Sequence, residues 1–326
     1  DGISNKIDPG KPESRSMYEA QAAAKEVKKL PLSLGEALDR LADDEVDLKQ
    51  DKSASIYDLV QRLDLVYAGT PRDHPMDRAF ANMVEKFDMP RALPEALFEG
   101  FVWDAMSKQY KTFDDLISYS ARVASSVGAM LCVIMGERRA EVLSRACDLG
   151  VAMQLTNIAR DIGEDAKESR LYVPHDWFQQ EGLDPNEFLL DPNKSESTVV
   201  FTKRLLGKAE TLYHRSEAGI AYLPPKVRPA MFAARHIYSA IGNEIKKNNF
   251  DNINYRARTN KFTKTKLLTF SANSEAIKFG KYYELNEIAN QQALFGKKVY
   301  LQLWVKVKEG WAESDLSLRT LGYLEE

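Results

Sequence analysis

The feature that most constrains the fold of this chain is an apolar segment that continues into polar residues at helical spacing. Residues 149–153 are uncharged, and Gln154, Asn157, Asp161 and Asp165 follow at intervals of three or four residues. Residues at this spacing lie on one face of an α-helix. Burying a polar stripe costs free energy unless something pairs with it. The pattern therefore predicts a core helix that carries polar groups towards one end.

The carboxylates and amides of this stripe, with a neighbouring arginine, are the groups expected at a site that binds a divalent cation and phosphate. Carboxylate and amide oxygens suit Mg2+, which usually keeps several waters and takes further ligands from substrate phosphates. Arg160 lies beside Asp161, and a guanidinium group has the fork geometry that binds phosphate. Spacing alone also allows a solvated helix end, because acid pairs four residues apart are common on surfaces.

Composition limits the classes of protein to which the chain can belong. Its 326 residues and 44% hydrophobic content are sufficient for one large domain or two ordinary ones. The net charge of −3 gives no indication of a nucleic-acid partner. No uninterrupted apolar run reaches the roughly 18 residues of a membrane span. Cys132 and Cys147 lie in apolar helical contexts, which predicts buried thiols rather than a disulfide framework.

Helical periodicity predicts one large all-α domain at 17–270, after a flexible polar lead-in at 1–16. The helical pattern is clearest at 92–106, 116–135, 138–164, 199–221 and 228–248. The remaining segment, 271–326, is predicted to be a C-terminal extension. Within it, residues 298–308 alternate between apolar and polar, which predicts a β-strand. Since one strand is not stable alone, it must pair with another segment or with a partner protein.

Residues 145–165 and the following Arg170-Leu-Tyr-Val-Pro174 resemble the squalene/phytoene synthase family, and its phytoene synthase branch in particular. Further matching stretches are 99–104, 110–113 and 233–238. The resemblance implies an isoprenoid synthase fold, in which a helical bundle surrounds a central cavity. It also implies a prenyltransferase that joins two geranylgeranyl diphosphates head to head to give phytoene and diphosphate. Such enzymes use Mg2+, with Mn2+ as an alternative, and the phytoene reaction needs no nicotinamide.

The resemblance also implies roles for individual residues. A carboxylate-bound metal would neutralise charge that develops on the leaving diphosphate, and aromatic walls would favour a carbocation. For Tyr119 and Tyr238, core packing is the alternative role. The implied site consists of metal ligands Asp161, Asp165 and Asn157, catalytic residues Asp161, Asp165, Arg160 and Tyr119, and substrate-binding residues Gln154, Asn157, Tyr238, Arg256 and Asp104.

The resemblance implies two acidic motifs on facing helices. The stretch at 157–165 is the second, and two placements of the first compete in this chain. In the first placement, residues 40–47 supply the motif, and Asp43 and Asp47 are further metal ligands. In the second, Asp1-Gly2 is the tail of the motif and residues 3–55 are an insertion. The run at 43–47 would then be a charged surface segment, as charge runs usually are.

Several departures from the family pattern favour an alternative function. Gln109 and Ala121 replace an expected arginine and an expected aromatic residue, and Ser125-Ser126 replaces Gly-Thr. The alternative is a catalytically impaired member that serves as a structural or assembly subunit of a larger membrane-bound complex, docked through 298–308. Because the substrate and product are apolar, both functions imply peripheral membrane contact. The compartments considered are the thylakoid or envelope of a plastid, the bacterial inner-membrane surface and the mitochondrion.

Overall fold

The computed structural model describes residues 50–273, and no strand occurs within that range. The elements in chain order are α1 Gln50–Tyr67, α2 Pro75–Phe87, α3 Ala92–Ala105, α4 Phe113–Ser120, a π-helical turn Ala121–Ser125, α5 Ser126–Ile134, α6 Ala140–Lys167, α7 His175–Gln180, α8 Pro185–Leu190, α9 Glu196–Ile220, α10 Arg228–Lys247 and α11 Lys261–Asn273. The all-α class predicted from periodicity is confirmed. The predicted lead-in at 1–16 and the predicted strand at 298–308 lie outside the described residues.

Local capping signals fix where several helices begin. Thr112 and Asp115 form a capping box at α4, in which each side chain accepts a hydrogen bond from the other's backbone N–H. Ser195 and Thr198 do the same at α9. At α8, the Asp184 side chain accepts from the backbone of Asn186. These caps separate the helices with short connections, and the helices can therefore fold back against one another.

Helix α6 is the centre of the bundle. It packs along α9 over the most extensive contact of the described chain, and also against α5, α10 and the π-helical turn. Leu155, Leu205 and Leu212 are fully buried in the core between α6 and α9. On the other side of α6, the backbone of Ser125 approaches so closely that a Cβ atom at Gly150 would lie 2.7 Å from it. A glycine is therefore required at this crossing.

The run from Phe113 to Ile134 is a continuous helix of 22 residues that is long and apolar enough to cross a membrane. However, 56% of its most apolar window is buried inside the protein. The buried guanidinium of Arg122, near the middle of the run, pairs with Glu99 at 3.1 Å. Core helices of soluble proteins have the same properties, so the run is weak evidence for a membrane span.

A buried charged cluster connects α6 to α9. The carboxylate of Asp148 lies 3.0 Å from the guanidinium of Arg145 and 3.3 Å from that of Arg215. All three side chains are at most 5% exposed. Such groups are tolerated in a core only when they are paired, because each ion loses its hydration on burial. The two cysteines, Cys132 and Cys147, are buried free thiols, as the sequence predicts.

Candidate active site

An apolar cavity of about 420 Å³ lies between α5, α6, α9 and α10. Helix α6 forms its longest wall, from Val142 to Asn157, which is about 22 Å at 1.5 Å per residue. Most of the lining is aliphatic, including Val127, Leu149 and Met153. The cavity therefore has the length and the character of a site for an extended hydrocarbon chain.

Three of the predicted substrate-binding residues lie on the wall of this cavity. They are Gln154, Asn157 and Tyr238. Gln154 and Asn157 project from consecutive turns of α6, and Tyr238 comes from the facing α10. Two amide groups and a phenol group at this end make it the more polar part of an otherwise apolar cavity.

Beyond Asn157 the stripe on α6 continues to Asp161, which binds two arginines. Nε of Arg160 donates to its carboxylate at 2.7 Å, and Nε of Arg256 donates at 2.9 Å. Arg256 also lies 3.0 Å from the carboxylate of Glu164. The Asp161 side chain is only 16% exposed, so it is not part of a solvated helix end. Two guanidinium groups thus converge one helical turn beyond the cavity wall, where they could bind an anion.

Asp165 is the other carboxyl group of the stripe. Unlike Asp161, it has no cationic side chain within ion-pair distance among residues 50–273. Burial, and then the negative charge of Asp161, raise the pKa of Asp165 to about 7. A bound cation would offset both effects. Asp161, Asp165 and the amide of Asn157 thus form a donor set that fits a divalent cation shared with substrate phosphates. Within residues 50–273 no three histidine, cysteine or acidic side chains cluster closely enough to hold a metal by themselves.

Tyr119 and Asp104 meet in a cluster of aromatic rings, of which Tyr110 and Tyr119 are buried and Tyr172 is half-buried. The hydroxyl of Tyr119 donates to Asp104 at 3.0 Å, and the hydroxyl of Tyr172 donates to the same carboxylate at 2.9 Å. The rings of Tyr119 and Tyr172 stack at 5.2 Å, and Tyr110 lies 5.2 Å from Tyr119. Burial raises the pKa of Tyr119 and of Tyr172. Both phenols are therefore protonated donors at neutral pH.

Tyr172 is the residue of this cluster that sequence reasoning missed. It lies in the loop after α6, within a stretch that matches the family, and nothing in its spacing relates it to Asp104. The matching string Arg170-Leu-Tyr-Val-Pro174 was the signal that could have singled it out.

The two serines that depart from the family pattern have structural explanations. The hydroxyl of Ser125 donates to the backbone oxygen of Cys147 at 2.8 Å, and that of Ser126 donates to the backbone oxygen of Arg122. Neither serine lines the cavity, whereas Val123 and Ala124 do. The serines therefore stabilise helix packing, and they do not narrow the space that a ligand would occupy.

The two other predicted metal ligands, Asp43 and Asp47, lie outside the described residues. The structure therefore brings Gln154, Asn157 and Tyr238 to one cavity, and Arg160, Asp161 and Arg256 together one turn beyond it. Asp104 and Tyr119 lie in an aromatic cluster outside the cavity wall.

Similar sequences are found among known proteins. A family model described as squalene/phytoene synthase matches residues 11–263. The chain is 52% identical over 238 residues to a phytoene synthase of Rhodobacter capsulatus, covering 72% of this chain and 70% of that protein. It is 51% identical over 248 residues to a phytoene synthase of Cereibacter sphaeroides, covering 73% of this chain and 70% of that protein.

Solved structures with a similar fold include a dehydrosqualene synthase in complex with a ligand. It has a TM-score of 0.63 and 28% identity, covering 80% of this chain and 98% of that one. A squalene synthase of Alicyclobacillus acidocaldarius has a TM-score of 0.57 and covers 72% of this chain and 96% of that one. At 18% identity it indicates the fold alone.

Proposed function

The chain belongs to the squalene/phytoene synthase family, and we propose that it is a phytoene synthase, which condenses two geranylgeranyl diphosphates head to head and releases diphosphate. One observation carries the proposal. An apolar cavity walled by about 22 Å of helix α6 leads along the same helix to Asp161, on which Arg160 and Arg256 converge. The prenyl tail and the diphosphate of such a substrate need these two environments side by side.

The polar end of the site would bind and orient the diphosphate. Arg160 and Arg256 would exchange their hydrogen bonds to Asp161 for hydrogen bonds to phosphate oxygens, at little cost because both bonds are charge-assisted. Asp161, Asp165 and Asn157 would hold Mg2+, with Mn2+ as an alternative. When bound, the metal would neutralise charge on the departing diphosphate. The two arginines would hold the diphosphate away from the cation that its departure creates.

The apolar end would keep water away from that cation. Aliphatic side chains such as Leu149 and Met153 exclude water, which would otherwise trap the cation as an alcohol. Tyr119 and Tyr172 do not line this cavity and are stacked on each other, so their rings would favour only positive charge that develops beside the aromatic cluster. Asp104 fixes both rings through their hydroxyls, so it would act by positioning them. Gln154 would face the reacting carbons from α6.

The family match begins at residue 11 and therefore includes residues 40–47. This supports the placement in which Asp43 and Asp47 complete the metal site, since the other placement makes residues 3–55 an insertion. The matching phytoene synthases of Rhodobacter capsulatus and Cereibacter sphaeroides are bacterial, which supports a bacterial protein and, with an apolar product, the inner-membrane surface as its location. An additional protein partner at 298–308 stays a prediction.

The alternative function as an assembly subunit is not favoured. The serines at 125 and 126, which suggested an altered cavity, bind backbone oxygens outside its lining. Identity to phytoene synthases reaches 52% over most of the chain.

Site variants test the proposal. Asp161→Ala and Asp165→Ala should each lower kcat/KM by at least about a hundredfold, because each removes charge that the transition state requires. Asp43→Ala should do the same if residues 40–47 face this site. Glu168→Ala is the matched control, since Glu168 is 63% exposed just beyond the same helix. Near-normal turnover of either Asp161→Ala or Asp165→Ala, in a protein with an unchanged circular dichroism spectrum, would contradict the assignment of that residue.

A further inference from the structure

The segment from Asn254 to Phe270 is strongly basic and carries large exposed apolar side chains. It contains Arg256, Arg258, Lys261, Lys264 and Lys266, and no acidic residue occurs from 252 to 274. This contrasts with the whole chain, whose net charge is −3. Four large apolar residues of the segment are exposed: Tyr255 by 64%, Phe262 by 80%, Leu268 by 50% and Phe270 by 56%.

These side chains are presented by a helix that is held in place. Helix α11 packs against α10 and buries Ser271. The Asn260 side chain accepts from the backbone of Thr263 at 2.7 Å at the start of α11, and Phe270 contacts the ring of His236 edge-on. The exposed groups are therefore held on the broad outward side of α11, away from α10, and on the loop before it. We call this region the α11 surface, comprising residues 254–270.

The charges of the α11 surface are available to a partner. Arg258, Lys261, Lys264 and Lys266 are exposed, and none forms an ion pair with another residue in the described range 50–273. Among the basic residues of this surface, Arg256 is the one that forms ion pairs within that range, with Asp161 and Glu164 of the candidate active site. Clusters of four or more lysines and arginines beside a membrane attract the headgroups of anionic lipids.

We propose that the α11 surface docks the protein on an anionic phospholipid bilayer. The lysines meet lipid phosphates, and Phe262 enters the boundary between headgroups and acyl chains. Arg256 joins this surface to the polar end of the candidate site, so docking places the diphosphate end at the level of the headgroups. That arrangement suits a substrate that combines an anionic diphosphate with a membrane-soluble tail. The docking proposal identifies the surface of the protein that contacts the membrane. It holds whichever reaction the protein catalyses.

Vesicle flotation of the full chain tests the proposal. The protein should bind vesicles of equal parts phosphatidylglycerol and phosphatidylcholine, bind vesicles of phosphatidylcholine alone at least tenfold more weakly, and dissociate at high salt. Each of Lys261→Gln, Lys264→Gln and Lys266→Gln should weaken binding about fivefold, and the triple variant about a hundredfold. The matched control is the triple variant Lys86→Gln, Lys111→Gln and Lys226→Gln, exposed lysines outside the α11 surface, which should bind within about threefold of the wild type.

Maleimide labelling of the variant Phe262→Cys tests whether the α11 surface is exposed to solvent in the full chain. Both native thiols are buried, so the new thiol alone should react with a maleimide in solution, and anionic vesicles should protect it. Failure to react without lipid would mean that another part of the chain or a second copy covers the surface, and would overturn the proposal. Equal vesicle binding by the two triple variants, or binding of a DNA duplex but not of anionic vesicles, would also overturn it. Turnover in detergent should be the same for both triple variants, so an inactive wild type would refute the proposed function and leave the docking result standing.

Discussion

The substitution Gly163→Ala tests how the candidate active site is assembled, because it lies between Asp161 and Asp165 without touching either charge. The backbone of Ile253 crosses α6 at Gly163. A Cβ atom there would lie 2.4 Å from the backbone oxygen of Ile253 and 2.6 Å from its Cα. The same segment carries Arg256 to the carboxylate of Asp161 three residues later. Gly163 is therefore the position that allows Arg256 to reach the site.

The magnitude follows from the contact distances. An ordinary contact of a Cβ atom begins at 3.4 Å, so the Ile253 backbone must move by about 1 Å. The side chain of Asn252 opposes this movement, since it donates to the backbone oxygen of Ala159 and to Thr202. Overpacking of this kind costs about 1–3 kcal/mol of stability. Misplacement of a binding group by about 1 Å can lower the rate by as much as about a hundredfold.

Urea unfolding and steady-state kinetics measure these two effects in the same preparation. Gly163→Ala should lower the unfolding free energy by about 2 kcal/mol, and kcat/KM by more than tenfold in the fully folded protein. Gly207→Ala is the matched control, because it also changes a helical glycine but has no atom within 4 Å of the new Cβ. It should raise stability by up to about 1 kcal/mol without affecting turnover. If Gly163→Ala retained wild-type kinetics and stability, the role given to this crossing would be wrong.

Three further substitutions test buried polar contacts and the protonation of a histidine. Asp148→Ala leaves two buried guanidinium groups without their shared carboxylate and should cost about 3–5 kcal/mol in urea unfolding. Tyr119→Phe keeps the stacked ring but removes the hydrogen bond to Asp104, and should cost about 2 kcal/mol by the same measurement. Burial, and then Arg235, lower the pKa of His236 from 6.5 to about 4. The unfolded chain then binds more protons between these values, so stability falls as the pH drops from 6.5 to 4. The variant His236→Phe should lose less stability than the wild type over that pH range. Equal losses would refute the assignment of this pH dependence to His236.

The helices were predictable from the sequence because their signals are local. The periodic pattern at 138–164 corresponds to α6 at Ala140–Lys167, and the pattern at 228–248 to α10 at Arg228–Lys247. The stripe from Gln154 to Asp165 is likewise a property of one helix, and it was found from spacing alone. The family resemblance then predicted the isoprenoid synthase fold, which the structural neighbours confirm.

The contacts between distant segments were not predictable in the same way. The pairing of Arg256 with Asp161 joins positions 95 residues apart, and that of Tyr172 with Asp104 joins positions 68 apart. No periodicity encodes either contact, since each depends on how whole helices pack. The π-helical turn at 121–125 also has no signal in the apolar pattern, because it inserts into an otherwise continuous helix.

The most direct test of the central claim is mass analysis of the lipid that the wild-type full chain makes from geranylgeranyl diphosphate and Mg2+, with no reductant present. The predicted result is phytoene, a C40 hydrocarbon, with two diphosphates released for each molecule formed. Farnesyl diphosphate should react more slowly, because its shorter chain leaves part of the cavity wall uncovered. Recovery of geranylgeraniol alone, or of no C40 hydrocarbon, would contradict the account.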